Sequence, residues 1–179
     1  MNKSLFYFLL FAFASVTWTA CGDDDLPMEE ENEEELITTI NVALSSPTDA
    51  VTLTFVDIDG DGGDDPVITG GSLDANSTYS FSTTFLNESV TPTEDITEEV
   101  EEEGVDHYVS YGSGSLNFDV MLSDMDDNGD PIGLTGTLTT GDAGTGELQV
   151  ILLHESTKTA TGATGGSTDA DVSFPITVE

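Results

Sequence analysis

Positive charge is almost missing from this chain. Two of its 179 residues are Lys or Arg, against 36 Asp and Glu, and the formal net charge is −34. A surface this acidic repels phosphate backbones, which excludes nucleic acid as a partner. Cysteine occurs once, at Cys21, so no internal disulfide is available. Tryptophan also occurs once, at Trp18, which leaves no indole beyond the first twenty residues for stacking on sugars. The longest apolar run, from Leu5 to Val16, is shorter than the ~20 residues that a permanent membrane-spanning helix needs. No Gly-x-Ser-x-Gly elbow is present, and carboxylate pairs are inevitable in so acidic a chain. No catalytic residue is assigned, and the chain is read as a non-enzyme.

What is there begins with a leader. Lys3 gives residues 1–20 a positive start, Leu5 to Val16 an apolar middle, and Thr19 and Ala20 the small residues a signal peptidase needs. The stretch Gly22-Asp23-Asp24-Asp25 follows, and acids dominate up to Glu35. Like charges in a row keep a chain extended, so residues 21–35 are expected to form an acidic disordered tether. A domain of residues 36–179 remains, long enough to bury a core without disulfides.

Thr19-Ala20-Cys21 resembles the end of the lipobox of bacterial lipoproteins, with Trp18 where an aliphatic residue is usual. That resemblance implies a lipid on Cys21. The alternative is an ordinary secreted protein cut near Ala20. Asp23-Asp24-Asp25 behind the cysteine resembles the surface-export signal of lipoproteins from the Bacteroidota. It implies an outer-membrane location facing the cell exterior. Each buried CH₂ of the acyl chains would add about 0.8 kcal/mol to such an anchor.

From residue 36 the apolar residues recur with a period of two. Leu36, Ile40, Val42 and Leu44 share one parity, and Val51, Leu53 and Phe55 another run. The same alternation marks Tyr79 to Phe85, Val105 to Tyr111, Leu116 to Leu122, Leu148 to His154 and Val172 to Val178. Ile151 and Leu153 make both faces of their run apolar, which predicts a central strand. Pro175 suggests an edge strand at the C-terminus. Loops rich in Ser, Gly, Asp and Pro separate the runs. A short acidic helix is expected over residues 93–103, with Ile96 and Val100 on its buried side and Gly104 as its stop. The expected fold is all-β: a single antiparallel β-sandwich of about eight strands with one short helix. A small eight-stranded up-and-down barrel is the alternative.

Over the whole mature chain the sequence is similar to a group of small surface lipoproteins of the Bacteroidota. The likeness rests on Glu33-Glu34-Glu35-Leu36-Ile37-Thr38-Thr39, Asp57-Ile58-Asp59-Gly60-Asp61-Gly62-Gly63, residues Glu94 to Glu103, and Leu138-Thr139-Thr140-Gly141-Asp142. Members are sometimes labelled as having a type 1 periplasmic binding fold. That fold is α/β, and the period of two here does not support it. The resemblance implies a lipoprotein at the cell surface and no particular activity.

Two loops have the spacing of calcium ligands. Asp57, Asp59 and Asp61 precede Gly62, and Asp124, Asp126 and Asn128 precede Gly129. Oxygens at every second residue around a glycine turn suit calcium. Both loops lack the closing Glu at the twelfth position, where Ile68 and Thr135 stand. Asp and Gly are also good turn formers, and that reading stays open beside calcium. The second candidate is the pair His107 and His154, each near a strand end and beside an acid, Asp106 and Glu155. They are either two isolated strand histidines or, if their strands meet, part of a site for zinc or another transition metal. The leading expectation is a non-enzymatic surface-anchored binding or accessory domain of an outer-membrane complex, stabilised by calcium. The rival is a lipoprotein that captures divalent metal for an outer-membrane transporter. A TonB-dependent receptor is the partner that either would suit.

Overall fold

A computed structural model describes residues 35–60 and 62–179. The expected leader, Cys21 as the expected lipid-bearing residue, the expected tether up to residue 34, and Asp61 lie outside the described residues. Eight strands are five residues or longer: β1 (Thr39–Ser45), β2 (Ala50–Val56), β5 (Thr78–Asn87), β7 (Tyr108–Gly112), β8 (Phe118–Leu122), β9 (Thr135–Thr140), β10 (Gly144–His154) and β13 (Ser167–Val178). Five shorter ones fall between them: β3 (Val67–Thr69), β4 (Gly71–Leu73), β6 (Glu94–Asp95), β11 (Thr157–Thr159) and β12 (Gly162–Thr164). The helix α1 covers Ile96–Glu102.

Two sheets carry the core. The larger runs β3-β2-β1-β5-β9-β8, with β6 attached to β5; the smaller runs β4-β13-β10-β7. Every neighbouring pair is antiparallel except β4 with β13. The sheets stack as a sandwich and do not close into a barrel.

The period of two dictates which residues meet between them. Ile40, Val42 and Leu44 of β1 stand opposite Phe55, Leu53 and Val51 of β2 and Phe85, Thr83 and Phe81 of β5. One residue out of phase, Asn41 and Ala43 meet Thr54, Thr52, Thr84 and Ser82 on the wet face. From the smaller sheet Leu148, Val150, Leu152, Phe174 and Ile176 fill the other half of the core. The single inward hydroxyl of this row, on Thr83, is 2.7 Å from the Tyr111 hydroxyl, which also donates to the Gly133 carbonyl at 2.8 Å. A polar contact thus crosses the core with both partners satisfied.

Three expectations shift. Leu36 is 54% exposed and lies ahead of β1, which starts at Thr39. The helix begins at Ile96 and not near residue 93, because Glu94 and Asp95 pair with Asn87 and Leu86 of β5. Asp95 then serves as the N-cap and accepts from Thr97 N–H at 3.0 Å. Strand β13 is internal and not an edge. Its ladder with β4 starts only at Ile176, so Pro175 sits just beyond it and its missing N–H costs that ladder nothing.

Candidate metal centre

The two histidines meet because of register. Along β10, Val150, Leu152 and His154 share the inward face. The ladder with β7 pairs Leu152 with Val109 and Leu153 with Tyr108. One step further on the same face, His154 lies beside His107. The rings stack with centroids 4.4 Å apart and planes 22° from parallel. Neither is on the surface: side-chain exposure is 0% for His107 and 11% for His154.

Three carboxylates converge on the pair from elsewhere in the chain. Glu35, four residues ahead of β1, places Oε1 3.0 Å from His107 Nε2 and 3.8 Å from His154 Nδ1. Glu103 follows α1, and its carboxylate stands at the exposed rim; ligand atoms of Glu35, Glu103, His107 and His154 all lie within 4.8 Å of one another. Asp169 enters through a β-bulge. Strand β13 pairs Ala170 with Leu152 and Thr168 with Leu153, so Asp169 is the extra residue with no partner across the ladder. A bulge re-aims the side chain it carries, and here Asp169 Oδ2 comes 4.0 Å from His154 Nδ1.

The protons identify what the site lacks. His107 Nδ1 is 3.2 Å from the Glu103 backbone carbonyl, which only accepts, so Nδ1 carries hydrogen. Nε2 faces the Glu35 carboxylate: it donates to it in the protonated ring and presents a lone pair to it in the neutral one. Two acceptors at 3.0 Å repel unless a proton or a metal ion lies between them. Glu35 Oε2, His154 Nδ1 and Asp169 Oδ2 are buried without any hydrogen-bond partner. The Glu35 and Asp169 side chains are only 4% and 1% exposed. A buried charge without a counter-charge costs several kcal/mol, and no Lys or Arg reaches this cluster.

The acids respond to one another. Burial, then the charge of Glu35, pushes the Asp169 carboxyl up to about 6, against the pull of the two histidines. Burial and the charges of Glu35, Glu103 and Glu94 likewise raise Glu99 on the neighbouring face of α1, with His107 opposing. The donor set is two imidazole nitrogens plus carboxylate oxygens, which suits zinc, copper, nickel or iron and is poor for calcium, an ion of all-oxygen sites. With bonds of about 2.05 Å, the 3.0 Å gap between His107 Nε2 and Glu35 Oε1 subtends about 95° at a metal. Bringing His154 Nδ1 into a tetrahedron requires a shift of about half an ångström. The carbonyl that holds His107 Nδ1–H fixes the tautomer, as an outer partner of a metal-bound imidazole does.

No family model, curated protein or solved structure matches the chain. The geometry therefore stands on its own.

The other sequence-derived candidates are placed differently. In the first Asp loop, Asp57 Oδ1 accepts from Gly60 N–H and Asp59 Oδ2 from Asp64 N–H, each at 2.9 Å. In the second, Asp124 accepts from Gly133, Leu134 and Thr135 N–H at 3.1, 2.6 and 3.2 Å. Asp126 accepts from Asn128 and Asp130 N–H at 2.8 and 3.0 Å and pairs with Lys158 Nζ at 2.8 Å. Burial would raise the Asp126 carboxyl, but the Lys158 and backbone hydrogen bonds outweigh it and hold it below its usual range. The carboxylates of this loop already have protein donors that organise it. Among the described residues, no other group of three His, Cys, Asp or Glu side chains converges as the histidine cluster does.

Sequence reasoning found both histidines and missed all three acids. Asp106 and Glu155, the adjacent acids, are exposed and stand outside the cluster. Nothing local distinguishes Glu35 from the acids before it, or Glu103 from those of the helix. Asp169 was hidden because a bulge cannot be read from alternation.

Proposed function

We propose that this protein is a surface-held domain that binds a divalent transition-metal ion at His107, His154 and Glu35, with Glu103 at the mouth and Asp169 alongside. The observation that carries the reading is the convergence of His107 Nε2, His154 Nδ1 and the Glu35 carboxylate, with Glu35 Oε2, His154 Nδ1 and Asp169 Oδ2 buried without a hydrogen-bond partner. A cation answers that arrangement. On this reading the lipid on Cys21 holds the domain at the outer membrane. The acidic surface concentrates cations around it and speeds their capture. The role that fits is metal collection for an outer-membrane transporter of the TonB-dependent kind.

Calorimetric titration tests this on the mature chain, in excess calcium and salt to silence diffuse binding to surface acids. One zinc ion per chain should bind, and His107→Gln and His154→Gln should each weaken it by about 100-fold or more. Circular dichroism confirms that the variants remain folded. Affinity unchanged in both folded variants refutes the assignment.

A further inference from the structure

Glu35 is a ligand contributed by the point where the chain enters the domain. We propose, resting on the metal reading above, that the ion is also a clasp: it fastens the root of the N-terminal tether to the sandwich, so that metal loading sets where the chain leaves the domain.

The segment is tied down weakly apart from that one side chain. The first backbone hydrogen bond of the described chain is Thr38 N–H to the Leu86 carbonyl, at 3.0 Å, three residues past Glu35. Thr38 Oγ1 adds an acceptor for Glu88 N–H at 2.7 Å, so the sheet grips the chain firmly from that residue onward. Between the two, Leu36 is 54% exposed and Ile37 is only partly buried against the core. Glu35 itself sits among carboxylates. Asp169 and Glu103 border the same pocket, and Glu99 lies near enough to feel its charge. Glu35 Oε2 has no hydrogen-bond partner.

The two states follow from electrostatics. With an ion present, Glu35 is held by a metal bond and by attraction to a net positive centre, and the backbone at residues 35–37 is drawn against the ends of β10 and β13. Without it, Glu35 is a buried carboxylate among like charges, and swinging into water removes both the repulsion and the desolvation cost. Opening requires the loss of few native contacts, which marks a low-stability segment. Binding and docking are then linked: an ion that binds only the docked form stabilises it by mass action. Residues 22–34, which hold eight further acids, join this point to Cys21.

Hydrogen exchange read by mass spectrometry on the mature chain tests the clasp, in EDTA and in zinc at about 100 times its dissociation constant. Exchange at Leu36, Ile37 and Thr38 should slow in zinc by up to about 100-fold, and Glu35→Gln should abolish that protection while weakening zinc by about 10-fold or more. Zinc binding that His107→Gln destroys, with exchange at residues 36–38 the same in zinc and EDTA, overturns the clasp and leaves the metal site standing. Full protection retained in Glu35→Gln also overturns it. Absence of zinc binding in the wild type removes the clasp together with the reading it rests on.

Discussion

The charge state of Asp169 makes the metal-free domain lose stability as pH rises. Its carboxyl is raised to about 6 by burial and by Glu35, against an ordinary value of 3.8. The folded chain therefore holds this proton over a range where the unfolded chain has released it. Such a group stabilises the fold fully below the unfolded value, and that contribution is lost as pH climbs through about 6. At 1.36 kcal/mol per unit, the span is worth up to about 3 kcal/mol.

The variant Asp169→Asn keeps the shape and removes the titration. Global self-repulsion also changes with pH in so acidic a protein, so the useful quantity is the difference between the two chains. Urea unfolding in EDTA should show Asp169→Asn gaining on the wild type between pH 4 and pH 7 by up to about 3 kcal/mol, a midpoint displacement of about 1–3 M urea. Zinc supplies the missing counter-charge and should shrink that pH-dependent gap. A difference that stays flat across the range refutes the account, because it would mean that Asp169 ionises in the folded chain as freely as in the unfolded one.

Two other perturbations test the frame around the site. Lys158, 4% exposed, pairs with Asp126 and donates to the Gly104 carbonyl, so Lys158→Ala leaves a buried carboxylate without its cation and should cost about 3–5 kcal/mol in urea unfolding; a loss under about 1 kcal/mol would mean that water reaches Asp126. Asp124→Ala removes an acceptor shared by three backbone N–H groups and should cost about 2–4 kcal/mol, equally in calcium and in EDTA; a loss confined to calcium-containing buffer would give the loop an ion instead.

The fold was legible because alternation needs only neighbours along the chain. Val42 and Leu44, or Phe174 and Ile176, declare an inward face without reference to any partner strand. Pairing is not local, and that is where reading stopped. His107 and His154 are visible as strand-end residues, but their meeting depends on β10 and β7 pairing Leu152 with Val109; a shift of one residue would turn one ring away. The helix start illustrates the same limit. Glu94 and Asp95 have good first-turn chemistry, and the open edge at the end of β5 claims them. The second Asp loop has the spacing of a cation site, and spacing cannot reveal that Asp124 and Asp126 also accept from backbone N–H groups and that Asp126 pairs with a lysine 32 residues further on.

The placement of that lysine bears on function. Lys158 is the one Lys or Arg in the described domain, and it lies against Asp126, where a carboxylate needs a permanent counter-charge to hold a loop. Around the histidines, the buried side chains of Glu35 and Asp169 have no such partner among the described residues. Were their role only to brace the end of the sandwich, a fixed cation or an apolar filling would do it at less cost, since buried unpaired acids oppose folding. A diffusible cation satisfies them only while it is bound, and it makes the region's stability depend on metal supply. On the metal reading, the rim position of Glu103 would let the ion exchange with water, while the histidines behind it would supply the nitrogen donors that calcium and magnesium, the abundant ions attracted to the same acidic surface, use poorly.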